Sequence, residues 1–174
     1  MAATIQLHVW TGAAAGTDGG SATSFSFLNI DSALDTAAAR ISNPITIPTS
    51  GCAYSYEKWI SACVTASPAN NVSNFQMWGT PPVQAFPTGT CWMVGTATSA
   101  AGSTPVNTAM AAGKSPSNLA TATSGAKYTW DAASYAAAGS STQYLVMQLH
   151  ITTTACVGNW GGTGCALSYS YSEV

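Results

Sequence analysis

Residues 143–152, QYLVMQLHIT, constrain the fold more than any other stretch of the chain. Leu145, Met147, Leu149 and Ile151 fall on one phase of a two-residue period, and Tyr144, Val146, Gln148, His150 and Thr152 fall on the other. That is the repeat a β-strand imposes. A helix would scatter the four aliphatic side chains around its circumference, and the β-branched and aromatic content also favours a strand. The stretch reads as a central strand with one oily face on a core and one mixed face.

The same period recurs elsewhere. Residues 4–10 alternate Ile5, Leu7 and Val9 against Gln6, His8 and Trp10, and Gly12 marks the end of this first strand. Residues 13–23 have loop composition, and SFSFLNI at 24–30 reads as a second strand with Phe25 and Phe27 on one face. Residues 31–42 suit either a short helix or an extended arm, with Asp31 or Ser32 as a cap. Pro44 and Pro48 bracket Ile45 to give an edge strand or an extended connection. Alternation resumes over 54–64, where either phase could face inward, and over 74–78. Residues 91–94 form a short apolar run expected to pair with 74–78, while 79–87, with its prolines, cannot be a central strand. Residues 96–126 are Ala, Thr, Ser and Gly with hardly a large apolar side chain, so they read as a low-complexity loop or a pair of thin edge strands that supplies little core. Residues 127–130 restore order, and 166–172 alternate Leu167, Tyr169 and Tyr171 with serines.

Short strands separated by Gly, Pro, Asn and Ser turns, with little helix, predict an all-β chain: one antiparallel β-sandwich domain over 1–174 with long Ala/Thr/Ser/Gly-rich loops. A jelly-roll and an immunoglobulin-like Greek key both fit. No internal repeat suggests a propeller or solenoid.

Charged residues make up 6% of the chain, against about 25% in an ordinary globular protein. Solvation must then come from hydroxyls, amides and backbone. Either partner subunits cover much of this exterior, since interface cores are depleted in charge, or the surface is simply neutral and hydroxyl-rich. Four basic and six acidic residues give a formal net charge of −2. That is too little positive charge for direct nucleic-acid or membrane-surface binding. The opening MAATIQLHVW has no basic leader before an apolar core, and no apolar run approaches the roughly 20 residues of a membrane span. The expectation is a soluble chain made in the cytoplasm.

Acid–base, metal or cofactor chemistry has few candidates. His8 and His150 lie on the polar phases of two strands, and a role for either requires a carboxylate or thiol beside it. Asp31 and Asp35 read as a capped, solvated turn rather than a catalytic pair. No Gly-x-Ser-x-Gly elbow is present. Gly113-Lys114-Ser115 ends like a phosphate loop, but Thr108 stands where its first glycine belongs. Asn71-Val72-Ser73 is a glycosylation triplet that matters only on a secretory route. Cys52, Cys63, Cys91, Cys156 and Cys165 are an odd number. Cys156 and Cys165 could meet across a hairpin, as could Cys52 and Cys63, but buried thiols suit a cytoplasmic product better. No catalytic, cofactor or metal residue is assigned.

Six tryptophans remain. Exposed on a sheet they could stack on sugars, but as core or subunit anchors they fit the common use of Trp. Trp160, in GNWGGTG, is the leading candidate for an interface anchor, followed by Trp10 and Trp78.

Two stretches carry a family likeness: PITIPTSGCAYSYEKWISACVTASPANNVSNFQMW and YTWDAASYAAAGSSTQYLVMQLHITTTA, together with the final alternating tyrosine strand. Within them Ser55-Tyr56-Glu57-Lys58-Trp59, Val72-Ser73-Asn74-Phe75 with Trp78, Tyr144-Leu145-Val146 and Gln148-Leu149 carry most of it. The chain resembles β-sandwich virion proteins of tailed bacteriophages over roughly half its length. It departs from them in its extra cysteines and in the insertion at 96–126. The resemblance implies a non-enzymatic, homo-oligomeric head decoration or cement protein in the virion. Its partners would be the major capsid protein or other virion subunits, with a trimer or capsomer junction as its setting. A tail, head-to-tail or fibre component, or a carbohydrate-binding module with weak glycan affinity, are the alternatives.

Overall fold

The computed structural model describes residues 3–33, 36–66, 70–80, 88–98, 105–110, 117–118, 122–155 and 166–173. Its strands are β1 (Thr4–Thr11), β2 (Thr17–Ser21), β3 (Cys52–Tyr54), β4 (Lys58–Ala66), β5 (Val72–Thr80), β6 (Thr90–Ala97), β7 (Ser117–Asn118), β8 (Tyr128–Asp131), β9 (Tyr144–Thr152) and β10 (Ala166–Glu173). The larger sheet runs β2-β1-β4-β9-β6-β7, with β3 also paired to β9, and the smaller sheet runs β10-β5-β8. All pairings are antiparallel. The fold is an all-β sandwich.

The alternation of β9 is realised at the centre of the larger sheet. Leu145, Met147, Leu149 and Ile151 are buried with Val9, Ile60, Ala62, Val64, Trp92 and Val94 from the same sheet, and with Phe75, Met77 and Trp130 from the smaller one. The phase left open in residues 54–64 is thereby decided: Ile60, Ala62 and Val64 face inward. At about 25 cal/mol per Å² of apolar surface removed from water, this shared layer is the main stabilising term.

Strands β3 and β4 lie end to end along the same side of β9 and are separated by a break at 55–57. The break is satisfied bond by bond. The Ser55 N–H donates to the Leu149 carbonyl at 2.9 Å, and the Ser55 hydroxyl accepts from the Leu149 N–H at 3.0 Å. The next two amides turn away from the sheet, Tyr56 to the Leu28 carbonyl and Glu57 to the Val106 carbonyl, both at 2.9 Å. The SYEKW stretch is therefore a seam that ties two covering segments to the sheet.

Three expectations are corrected. Residues 24–30 form no strand; Leu28 is buried, and Phe25 and Phe27 pack against the core without strand pairing. The second strand is β2, inside the stretch expected to be loop, because Gly19 and Gly20 let it fold back on β1. A Cβ at Gly19 would lie 2.3 Å from that of Ala33, so only glycine admits the covering chain there. Residues 91–94 belong to β6, which pairs with β9 and β7 and not with 74–78; β5 lies in the other sheet.

The ambiguous 31–42 stretch yields one short helix, α1 (Ala37–Ser42), capped by the Thr36 hydroxyl and not by Asp31 or Ser32. Around Ile45 no strand forms. From 96–126, residues 117–118 make the thin edge strand β7, and Met110 and Ala122 are buried despite the expectation of little core.

Candidate functional site

The outer face of the larger sheet is covered by the chain itself. Trp59 and Val146 are buried there with Ala15 and Met110, and Trp10, Met93, Ala97 and Tyr144 pack around them. Gln148 holds the cover in place. Its amide nitrogen donates to the carbonyls of Ser55 at 3.0 Å, Val106 at 3.2 Å and Thr108 at 2.7 Å, and its oxygen accepts from the Met110 N–H at 3.1 Å. Gln148 is 0% exposed, so its two amide hydrogens, shared among three carbonyls, and its oxygen are satisfied by protein in place of water. Beside it the Trp59 indole donates to the buried Glu57 carboxylate at 2.9 Å.

Each histidine meets the kind of partner its chemistry would need. His8 Nδ1 lies 2.8 and 3.0 Å from the two carboxylate oxygens of Asp18, which also accepts from the Gly20 N–H at 2.7 Å. The other ring nitrogen, Nε2, is buried and makes no hydrogen bond. The pair has the geometry of an oriented base, but that base is aimed into protein with no hydroxyl or thiol hydrogen-bonded to it. Its evident work is to hold β2 against β1.

His150 stands in register between Tyr54 on β3 and Cys91 on β6. The Cys91 sulfur lies 3.3 Å from His150 Nδ1, and the Tyr54 ring stacks on the imidazole at 5.0 Å. Cys52 donates to the Tyr54 hydroxyl at 3.2 Å. This Cys52 contact, followed by burial, pushes the Tyr54 phenol up. Burial pushes the Cys91 thiol up. A nucleophilic cysteine needs the opposite shift, so Cys91 is not activated by this setting. Among the described residues no three His, Cys, Asp or Glu side chains group so as to hold a metal ion.

Cys52, Cys63 and Cys91 are free thiols, so Cys52 and Cys63 are not bridged; Cys156 and Cys165 lie outside the described residues. Asp35 also lies outside them, while Asp31 accepts from the Gly12 N–H at 2.7 Å. Sequence reasoning missed Asp131. This buried carboxylate accepts from Tyr135 Oη at 2.6 Å and from the N–H groups of Ala133 and Gln143 at 2.8 Å. The available signal was an Asp two residues before Ala133 in turn composition, the pattern of an Asx-turn.

The smaller sheet presents a different outer face. Trp78 is partly exposed there, with the Lys127 ammonium 4.6 Å from its ring centroid. Lys127 also donates to the Ser170 hydroxyl at 3.1 Å, and Gln76 donates to the Thr129 hydroxyl at 3.0 Å. Trp10 is placed on the larger sheet, edge-on to Tyr144 at 5.8 Å, with its indole N–H donating to the Ser61 hydroxyl at 2.8 Å. Trp160 lies outside the described residues. The two described candidates, Trp10 and Trp78, lie on different sheets.

Compared with family models, curated proteins and solved structures, the chain matches none.

Proposed function

We propose that this chain is a non-enzymatic structural protein of a tailed-bacteriophage particle, made in the host cytoplasm and incorporated into the virion. In this reading it decorates the outside of the head as a homo-oligomer bound to the major capsid protein. The observation that carries the reading is where the charge sits. Of the ten charged side chains (four basic, six acidic), Glu57, Lys58 and Asp131 are buried, and among the described residues only Asp18, Arg40 and Glu173 are exposed. The exterior is thus more neutral than the composition suggests. A neutral surface loses little hydration free energy when another protein covers it.

The mechanism is mass action. A protein that binds the assembled shell and not its dispersed subunits stabilises assembly by its binding free energy. Trp78 is the anchor this reading assigns to the shell contact, because its large ring offers apolar area among Gln76, Thr129 and Ser170, with the Lys127 ammonium beside it.

The test is co-sedimentation with phage shells stripped of their decoration. Saturable binding with a raised shell melting temperature is expected, weakened in Trp78→Ala; absence of binding to heads and tails alike overturns the reading. Binding to tails alone selects the tail or fibre alternative. A carbohydrate-binding module would use the same Trp78 with Gln76, Thr129 and Ser170 around it, after Lys127 has left the ring. A glycan array separates the two, since a decoration protein binds shells and ignores sugars.

A further inference from the structure

The sheet ends differ in how they discourage pairing with another chain. Natural edge strands are kept short, charged or interrupted. β2 is five residues with Asp18 and two glycines, β7 is two residues, and β8 is four residues ending in Asp131. β10 has none of these devices. It is eight residues, ALSYSYSE, without Pro or Gly and uncharged before Glu173, and among the described residues it pairs only with β5. Its backbone is also regular. The irregularity between Ser170 and Ser172 comes from an extra residue on β5, where Asn74 takes φ 55°, and leaves β10 extended.

We infer that β10 pairs antiparallel with β10 of a second copy of this chain, about a two-fold axis at Ser170, joining two three-stranded sheets into one of six. The sequence of the edge is its own complement. Ser168-Tyr169-Ser170-Tyr171-Ser172 reads the same in both directions, so antiparallel pairing about Ser170 sets Ser168 against Ser172 and Tyr169 against Tyr171. Tyrosines then meet tyrosines on the inner face and serines meet serines on the outer one, both favourable cross-strand pairs. Such a contact is isologous, as a two-fold dimer requires.

Tyr169 supplies a second, independent observation. It shares the inner phase with Leu167 and Tyr171, which pack against the core, yet it is 36% exposed and ranks among the exposed large hydrophobic side chains. The partner's Tyr171 would cover it. Glu173 falls opposite Leu167, so no two acids face each other. The opposing term is Lys127, whose two copies, each bonded to a Ser170 hydroxyl, approach the axis from opposite sides.

This inference deepens the homo-oligomeric part of the proposed function. It is tested without shells, so its failure is separate from a failure to bind them. Sedimentation velocity on the full chain should show a concentration-dependent dimer. Ser170→Lys and Ser170→Arg each set like charges directly opposite, beside the two Lys127 ammonium groups, and should each weaken dimerisation about tenfold or more. A chain that stays monomeric over its soluble range overturns the inference, as does Ser170→Lys dimerising as tightly as the unaltered chain. If either variant fails to fold, amide hydrogen exchange across 167–172 of the unaltered chain carries the test: protection must rise with concentration, and concentration-independent exchange overturns the inference.

Discussion

On the outer face of the larger sheet, Trp59, Val146 and Gln148 lie sealed beneath residues 105–110, whereas on the outer face of the smaller sheet Gln76, Trp78 and Ser170 keep contact with solvent. Gln148 makes four hydrogen bonds there, all to the backbone of its own chain. Gln76, partly exposed, donates to the Thr129 hydroxyl. The same residue type thus serves opposite ends. Where a face is closed by the chain itself, its polar groups are committed inward; where it is left open, they remain available to a partner.

The inner faces set the control for this comparison, since both sheets share one core. Phe75→Ala, which removes a ring packed on Trp130, Tyr135 and Tyr171, and Met147→Ala in the larger sheet should each cost about 2–5 kcal/mol by urea denaturation. The outer faces should then diverge. Gln148→Leu removes the acceptor of the Met110 N–H and the amide donor to the Ser55 and Thr108 carbonyls, although the Val106 carbonyl keeps the Glu57 N–H. It should cost about 2–3 kcal/mol, while Gln76→Leu should stay within about 0.5 kcal/mol. Equal costs at the two glutamines would break the comparison.

A third prediction probes the turn beneath the smaller sheet. Burial, and then the bond to Asp131, push the Tyr135 phenol far above its usual range. An unfolded tyrosine ionises near pH ~10. Above that pH the unfolded chain loses a proton that folded Tyr135 retains, so stability present below pH ~10 declines as pH rises further. Tyr135→Phe should cost about 1–2 kcal/mol at neutral pH and flatten this decline, as read by denaturation midpoints between neutral and alkaline pH. An unchanged slope would show that Tyr135 is not the group responsible. A smaller effect than that of Tyr135→Phe belongs to Lys127→Ala, which removes a partly exposed cation–π contact and should cost no more than about 0.5–1 kcal/mol.

How much of this was legible beforehand follows from which physical term each feature depends on. The inner face of β9 was readable because burial against a single core writes a two-residue period into the sequence. Its other phase was read as merely mixed, because the cover over it is made by residues 105–110. That segment carries few large side chains and attaches through backbone carbonyls that no residue letter reports. β2 was missed for a related reason: Thr17–Ser21 has loop composition and becomes a strand through its glycines and its pairing with β1. Phe25 and Phe27 gave a false strand, since they bury their rings without backbone pairing. The histidines were placed on the correct faces, but the partners that decide their chemistry, Asp18 and Cys91, come from other strands. Of the two described anchor candidates, Trp78 sits on the open face and Trp10 on the larger sheet, and the Lys127 ammonium beside the Trp78 ring was beyond a sequence reading.

The most direct test of the account is cryo-electron microscopy of tailed-phage particles assembled in the presence of this chain. The account predicts density for a two-sheet body on the outer surface of the head, with the Trp78 face of the smaller sheet turned toward the major capsid protein. Particles whose heads and tails both lack that density would contradict it.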